Sequence, residues 1–351
     1  TNKSWRKTSK TRIFLPFFLF SVVTLCNSVG DPFFFTSLQK TISYFLSFLI
    51  VPCYVEKLYR ENGTYFLRNF VLFCCTFLWL GFMLKFTFPT IAYLEGGRYR
   101  GVMGNPNGIG MFCVLFFIAV FLINDFFPEL FSKSEKRILY GTIFLSVILA
   151  NSRNAMLALI LVYIYQYVYK RSLFMGFIIF IISVILAKLL SDNMIQVIES
   201  IGLNDFFRIA TLSDASGRVV AWHFAWEQIQ KNFFVGKGFA YNEFYMRQHY
   251  GKLAELGHQG GIHNSFLTFW MDHGLIGLII YLRSFILMFV KGAKKTQYAF
   301  PIMFVVSFTA MFESWLVGSL SVFALFGMVI FTLITSDVIN QNTKEEVLET
   351  N

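Results

Sequence analysis

Charge is what this sequence has least of. Only 14% of its 351 residues are charged, against 56% hydrophobic and 19% aromatic. So little charge cannot cover a soluble domain of this size, which points to a polytopic membrane protein. Acidic residues are the scarcer sign, 20 against 30 basic, and a net charge of +10 would suit a nucleic-acid binder. Much of that excess sits in short segments flanking apolar runs, where orientation signals sit, so no nucleic acid is expected as a partner. Cysteine is scarce too. Cys26, Cys53, Cys74, Cys75 and Cys113 fall in or beside apolar runs with no C-x-x-C pair. They read as packing residues rather than disulfides or metal ligands.

What the chain has is apolar runs. Ten are visible, at 13–29, 41–55, 66–84, 109–123, 138–150, 155–169, 173–187, 263–290, 298–317 and 320–335. Most are near the ~20 residues that an α-helix needs to cross ~30 Å of hydrocarbon. The first is expected to be a span rather than a cleaved signal. The expected fold is therefore an all-α polytopic membrane protein with about ten transmembrane helices and a large extracytoplasmic loop that itself contains helices. Its expected divisions are helices one to seven in 1–190 with an outer loop at 95–108, a loop domain at 191–262, helices eight to ten in 263–335, and a cytoplasmic tail at 336–351. The basic leader, 56–68, 133–137, 170–171 and 291–295 all fall on one side if the helices alternate. The positive-inside rule makes that side cytoplasmic and puts 95–108, Arg153 and 191–262 outside.

The long outer loop is the segment expected to carry function. All five histidines (His223, His249, His258, His263, His273) lie in it or in the span that follows. Between 191 and 262 there are six Lys and Arg against seven Asp and Glu, so an anion would be held by individual residues, not by a basic patch. Ser213-Asp214 or Ser216 is placed to cap a helix starting near Gly217, with Val219, Trp222, Trp226 and Ile229 as its apolar stripe. Arg218 falls in the first turn, where the helix dipole disfavours a cation; that placement makes sense if both face an anion. Phe233, Phe234 and Phe239 are expected at the headgroup boundary.

Several residues could carry chemistry, and each has a plainer explanation. Arg153 stands between two apolar runs, either as an interface anchor or as a partner for a lipid-linked phosphate. Arg98 and Arg100 flank a turn, Asn105-Pro106-Asn107, that structure alone accounts for, yet paired arginines at a membrane surface also suit phosphate or sugar. His263, with Asn264 beside it, opens the span after the loop; it is either a capping residue or a base for a hydroxyl proton. The histidine spacing matches no common metal site. Gly236-Lys237-Gly238 is not a P-loop.

Together these motifs resemble the O-antigen ligase and O-antigen polymerase superfamily of bacterial envelope enzymes. The likeness is carried by R-x-R-G…N-P-N at 98–107, S-R-N-A at 152–155, S-G-R-x-x-x-W at 216–222, G-K-G at 236–238 and H-N-S-F-L…G-L-I-G at 263–277. It covers about residues 70–290. Family members typically have about twelve helices; a pair preceding Thr1 would account for the difference. The resemblance implies a metal-independent, inverting glycosyltransferase of the cytoplasmic membrane, with no cofactor and an undecaprenyl-pyrophosphate-linked glycan donor. The acceptor is a second lipid-linked repeat unit for a polymerase, or lipid A-core or another carrier for a ligase. Membrane lipids, and a chain-length regulator, are further expected partners. The resemblance assigns Arg153 and Arg218 to the pyrophosphate and His263 to the acceptor hydroxyl. Arg98, Arg100, Asn105, Asn107, Trp222, Lys237, Asn264 and Glu313 are the expected substrate contacts. A transporter of lipid-linked sugars is the competing class. It would place charge near the midplane and show internal repeats, whereas Lys85, Arg153, Lys188 and Glu313 map near outer helix ends and no repeat is evident.

Overall fold

The structure is a computed structural model and describes residues 9–94, 97–169, 174–185, 215–258 and 260–339. Over those residues each apolar run coincides with helix for most of its length. In chain order the helices are α1 (Ser9–Cys26), α2 (Phe34–Asn62), α3 (Thr64–Thr87), α4 (Pro89–Ala92), α5 (Pro106–Phe126), α6 (Lys133–Ala150) and α7 (Arg153–Tyr169). There follow α8 (Phe174–Ile185), α9 (Ala215–Lys231), α10 (Tyr241–Gln248), α11 (Tyr250–Glu255), α12 (Ser265–Gly292), α13 (Ala299–Phe312) and α14 (Val322–Thr335). The chain is an all-α polytopic membrane protein. Helices α2, α3, α5 and α12 are long and apolar enough to cross a bilayer, and α7, α8, α13 and α14 are shorter apolar helices. The basic residues expected to mark the inner side at Lys3, Arg6, Lys7, Lys170 and Arg171, the proposed cap at Ser213-Asp214, and Lys188 lie outside the described residues.

The chain forms two compact units. One comprises Ile50–Leu173, Phe289–Val305 and Leu325–Asn351. Its hub is α5, apolar all round and buried along nearly its whole length, as befits a helix enclosed by α3, α6 and α7. Asn105 caps it by accepting from the Gly108 amide at 2.6 Å, with Pro106 in its first turn. Gly110 lets the α6–α7 turn approach, since a Cβ there would lie 2.6 Å from Ser152 Oγ. Helix α6 begins with a capping box between Ser132 and Glu135, and Glu135 also pairs with Arg68 of α3.

The other unit comprises Thr1–Leu49, Phe174–Met288 and Val306–Ala324. An aromatic cluster fills its apolar part: Phe17 packs edge-on against Tyr44, Phe239, Phe269 and Tyr281. Phe239 is thus buried rather than at a headgroup boundary, while Phe234 is 62% exposed. Helix α9 starts at Ala215, and its buried face is Ala221, Ala225 and Ile229 with Phe224. Of the expected stripe, Val219 is exposed, Trp226 sits at the edge against Trp270, and only Ile229 is fully covered. The alanines win because they admit close approach by Met246, Leu253 and Met271.

Two interruptions shape this unit. Helix α12 breaks at Gly274, with φ 67° and ψ 178°, where a side chain would be strained. The amides of Leu275 and Ile276 donate instead to the carbonyls of Phe233 and Phe234, at 2.8 and 3.2 Å. Just before the break, both oxygens of buried Asp272 accept from Asn242, at 2.8 and 2.7 Å. The loop segment 233–242 is thereby stitched to the membrane helix. The second interruption is in the run at 298–317, expected as one continuous span. Helix α13 ends at Phe312, and a 3-10 turn, Trp315–Val317, follows. The break falls at Glu313-Ser314, whose polar groups are drawn to the start of α12.

Candidate functional site

The start of α12 is built to hold residues 263–265 still. Asn264 is its cap: the side-chain oxygen accepts from the amides of Phe266 and Leu267, at 3.0 and 3.1 Å. Ser265 donates to the Glu313 carbonyl at 2.7 Å and accepts from the Leu316 amide at 3.3 Å. Ser314 accepts from the Asn264 amide at 3.0 Å. From the other direction, Trp222 of α9 donates its indole N–H to the Ile262 carbonyl at 3.0 Å. Three chain segments therefore meet at His263.

His263 itself has φ 50°, a left-handed conformation for a residue other than glycine. Such strain costs about 1–3 kcal/mol and persists only where surroundings enforce it, often at functional sites. Its Nδ1 lies 3.1 Å from Glu313 Oε2. The other carboxylate oxygen, Oε1, accepts from Arg218 Nη2 at 3.2 Å. Of the three side chains Glu313 is the least exposed, at 17% against 32% for Arg218 and 31% for His263, so the carboxylate is the inner member and the cation and imidazole face outward. Fixing Nδ1 on Glu313 leaves Nε2 as the nitrogen aimed away. Gly260, at φ 131°, lies against it: a Cβ there would stand 2.9 Å from Nε2. Beside this, buried His258 bonds the Gly261 carbonyl at 3.0 Å, its ring 6.0 Å from that of His263. Burial, then the neighbouring His263, holds the His258 pKa below its ordinary value.

The expected site residues thus fall into groups. Arg218, His263 and Glu313 are brought together, with Asn264 and Trp222 supporting them. Lys237 is elsewhere in this unit, 3.7 Å from Asp31. Arg98, Arg100, Asn105, Asn107 and Arg153 belong to the other unit. Arg98 donates to Asn107 Oδ1 at 3.2 Å and to the carbonyls of Ala150 and Asn151, tying the 98–108 loop to the turn before Arg153. Arg100 donates to the carbonyls of Ile91 and Thr90. These two arginines and both asparagines therefore all have structural partners. Sequence reasoning missed Gly260 and the carboxylate-sharing role of Glu313; the H-Q-G-G-I-H spacing at 258–263 was the only available hint of the former.

No curated protein matches the chain. Residues 138–282 match the family model described as O-antigen ligase, so the likeness to that superfamily is shown over the stretch holding Arg153, Arg218 and His263.

Proposed function

We propose that the protein is a glycosyltransferase that polymerises undecaprenyl-pyrophosphate-linked repeat units on the outer face of the bacterial cytoplasmic membrane. The observation that carries this reading is the pairing of an oriented imidazole and an arginine through one carboxylate, at the mouth of a membrane helix. His263 Nε2 takes the proton of an acceptor-sugar hydroxyl. That oxygen attacks the donor's anomeric carbon, forming the new glycosidic bond with inversion. The bond from that carbon to the pyrophosphate oxygen breaks, and undecaprenyl pyrophosphate leaves with the electron pair. Arg218 stabilises the leaving charge with planar, paired donors. The role of Arg153 on the pyrophosphate rests on the resemblance alone, and the loop domain at 191–262 is assigned to the outer side by the charge asymmetry of the connections. The chemistry so described needs no metal.

The family description favours a second reading, a ligase that delivers the finished glycan to lipid A-core or another acceptor. Purified protein incubated with its lipid-linked repeat unit alone separates the two. A ladder of products supports the polymerase; transfer that occurs only after a separate carrier is added supports the ligase. No transfer under either condition refutes both.

A further inference from the structure

Glu313 is placed where its charge is least welcome. It follows directly on the C-terminus of α13, its amide donating to the Thr309 carbonyl at 3.0 Å, and a helix C-terminus repels an anion. Arg218 lies in the first turn of α9, the end that repels a cation. Each offsets the other, but a simple pair would leave no reason to involve a strained histidine. One carboxylate serves both: Oε1 accepts from Arg218, and Oε2 meets His263 Nδ1. Glu313 cannot be given wholly to His263 while Arg218 shares it, because a cation on one oxygen draws charge away from the other.

Resting on the glycosyltransferase reading, we propose that Glu313 is a positioning residue that couples donor binding to activation of the base. Without donor, Arg218 holds one oxygen of Glu313 and His263 meets the other, so the carboxylate is divided between the two. Pyrophosphate, the stronger anion, takes Arg218, whose remaining N–H donors have no protein partner among the described residues. Glu313 then turns its full charge on the imidazolium side of His263 and raises its proton affinity. The base is strong only when a leaving group is in place, which guards the site against idle proton traffic. The charged and titratable groups facing His263 are Glu313, Arg218 beyond it, and His258 across 6.0 Å.

The test is NMR titration of the His263 imidazole in purified full-length protein, with inorganic pyrophosphate as probe. Pyrophosphate is expected to raise the proton affinity of His263 about tenfold, the scale of a close carboxylate. In Glu313→Gln that rise should vanish. Arg218→Gln without pyrophosphate should raise it too, and not in the Glu313→Gln background. If the rise persists in Glu313→Gln, the anion acts on His263 directly and the coupling is refuted; absence of a rise in wild type and in Arg218→Gln refutes it equally. Should Glu313→Gln not fold, Glu313→Asp replaces it, since a side chain one methylene shorter cannot span both partners and should lose the response. A normal titration pattern in protein that transfers no glycan leaves the coupling standing and removes the enzymatic reading instead.

Discussion

His263 combines three unusual features: a left-handed backbone, an Nδ1 held by a carboxylate and an Nε2 bordered by glycine. If Nε2 takes the acceptor proton, His263→Ala should lower transfer by about 10²–10⁴, the usual worth of a positioned base, with expression unchanged in a membrane-fraction blot. Arg218→Lys keeps the charge and loses the planar fork, and should cost on the order of 10²-fold; donor titration against rate separates this from weaker binding. Gly260→Ala tests the approach to Nε2. A methyl 2.9 Å away, on a backbone with φ 131°, must push the ring off its position, and a misplacement of that kind costs on the order of 10²-fold in kcat. Wild-type turnover in Gly260→Ala would show that Nε2 needs no clearance. His258 makes a pH prediction. Its folded pKa is depressed, so the unfolded chain binds the extra proton first. Its stability contribution is complete above about pH 6.5 and is lost as pH falls through the lower folded value. Amide exchange at Gly261 and Ile262, corrected for intrinsic rate, should quicken at pH 5.5 in wild type and much less in His258→Gln. At this scale the sequence singled out the histidine and the arginine as candidates by type and setting, and the structure brings them together on one carboxylate. The carboxylate between them was expected as a substrate contact and as a charge near a helix end, but its link to both side chains was not legible, because it is 95 residues from one partner and 50 from the other.

The helices themselves were readable because burial in lipid or protein demands long apolar runs, and no other property of the chain competes with that signal. Their interruptions were not. Gly274 is one glycine in an apolar stretch, and its break is stabilised by carbonyls of Phe233 and Phe234 contributed from an earlier part of the chain. The apolar stripe of α9 was misplaced for a similar reason: Val219 and Trp226 are more hydrophobic than Ala221 and Ala225, but only the alanines are small enough for the contacts that bury them. Gly274→Ala would set a Cβ 2.3 Å from the Phe234 carbonyl oxygen at φ 67°. Separation of segment 233–238 from α12 should follow, seen as a lower melting temperature in detergent and faster proteolysis near Phe234. A melting curve identical to wild type would mean that the two segments do not depend on each other.

Across the whole molecule, side choice rests on charge that the described helices carry unevenly. Lys133, Lys136 and Arg137 crowd the start of α6, and Lys291, Lys294 and Lys295 surround the end of α12. The 191–262 loop balances its signs, six basic against seven acidic, so the positive-inside rule leads us to propose it for the outer side, whereas each basic cluster near a span end favours the inner side. The helical, membrane-spanning character was therefore legible in the sequence from its apolar runs, whereas sidedness remains an expectation drawn from the charge asymmetry alone. The orientation is open to direct measurement. In a background with all five cysteines replaced by alanine, Phe234→Cys, exposed beside the α12 break, should react with a membrane-impermeant maleimide added to intact spheroplasts. Ser134→Cys, in the first turn of α6, should react only after the membrane is opened. The reverse pattern would put His263 and Arg218 on the cytoplasmic side with the basic clusters outside, and a lipid-linked donor displayed on the outer face could not then be the substrate.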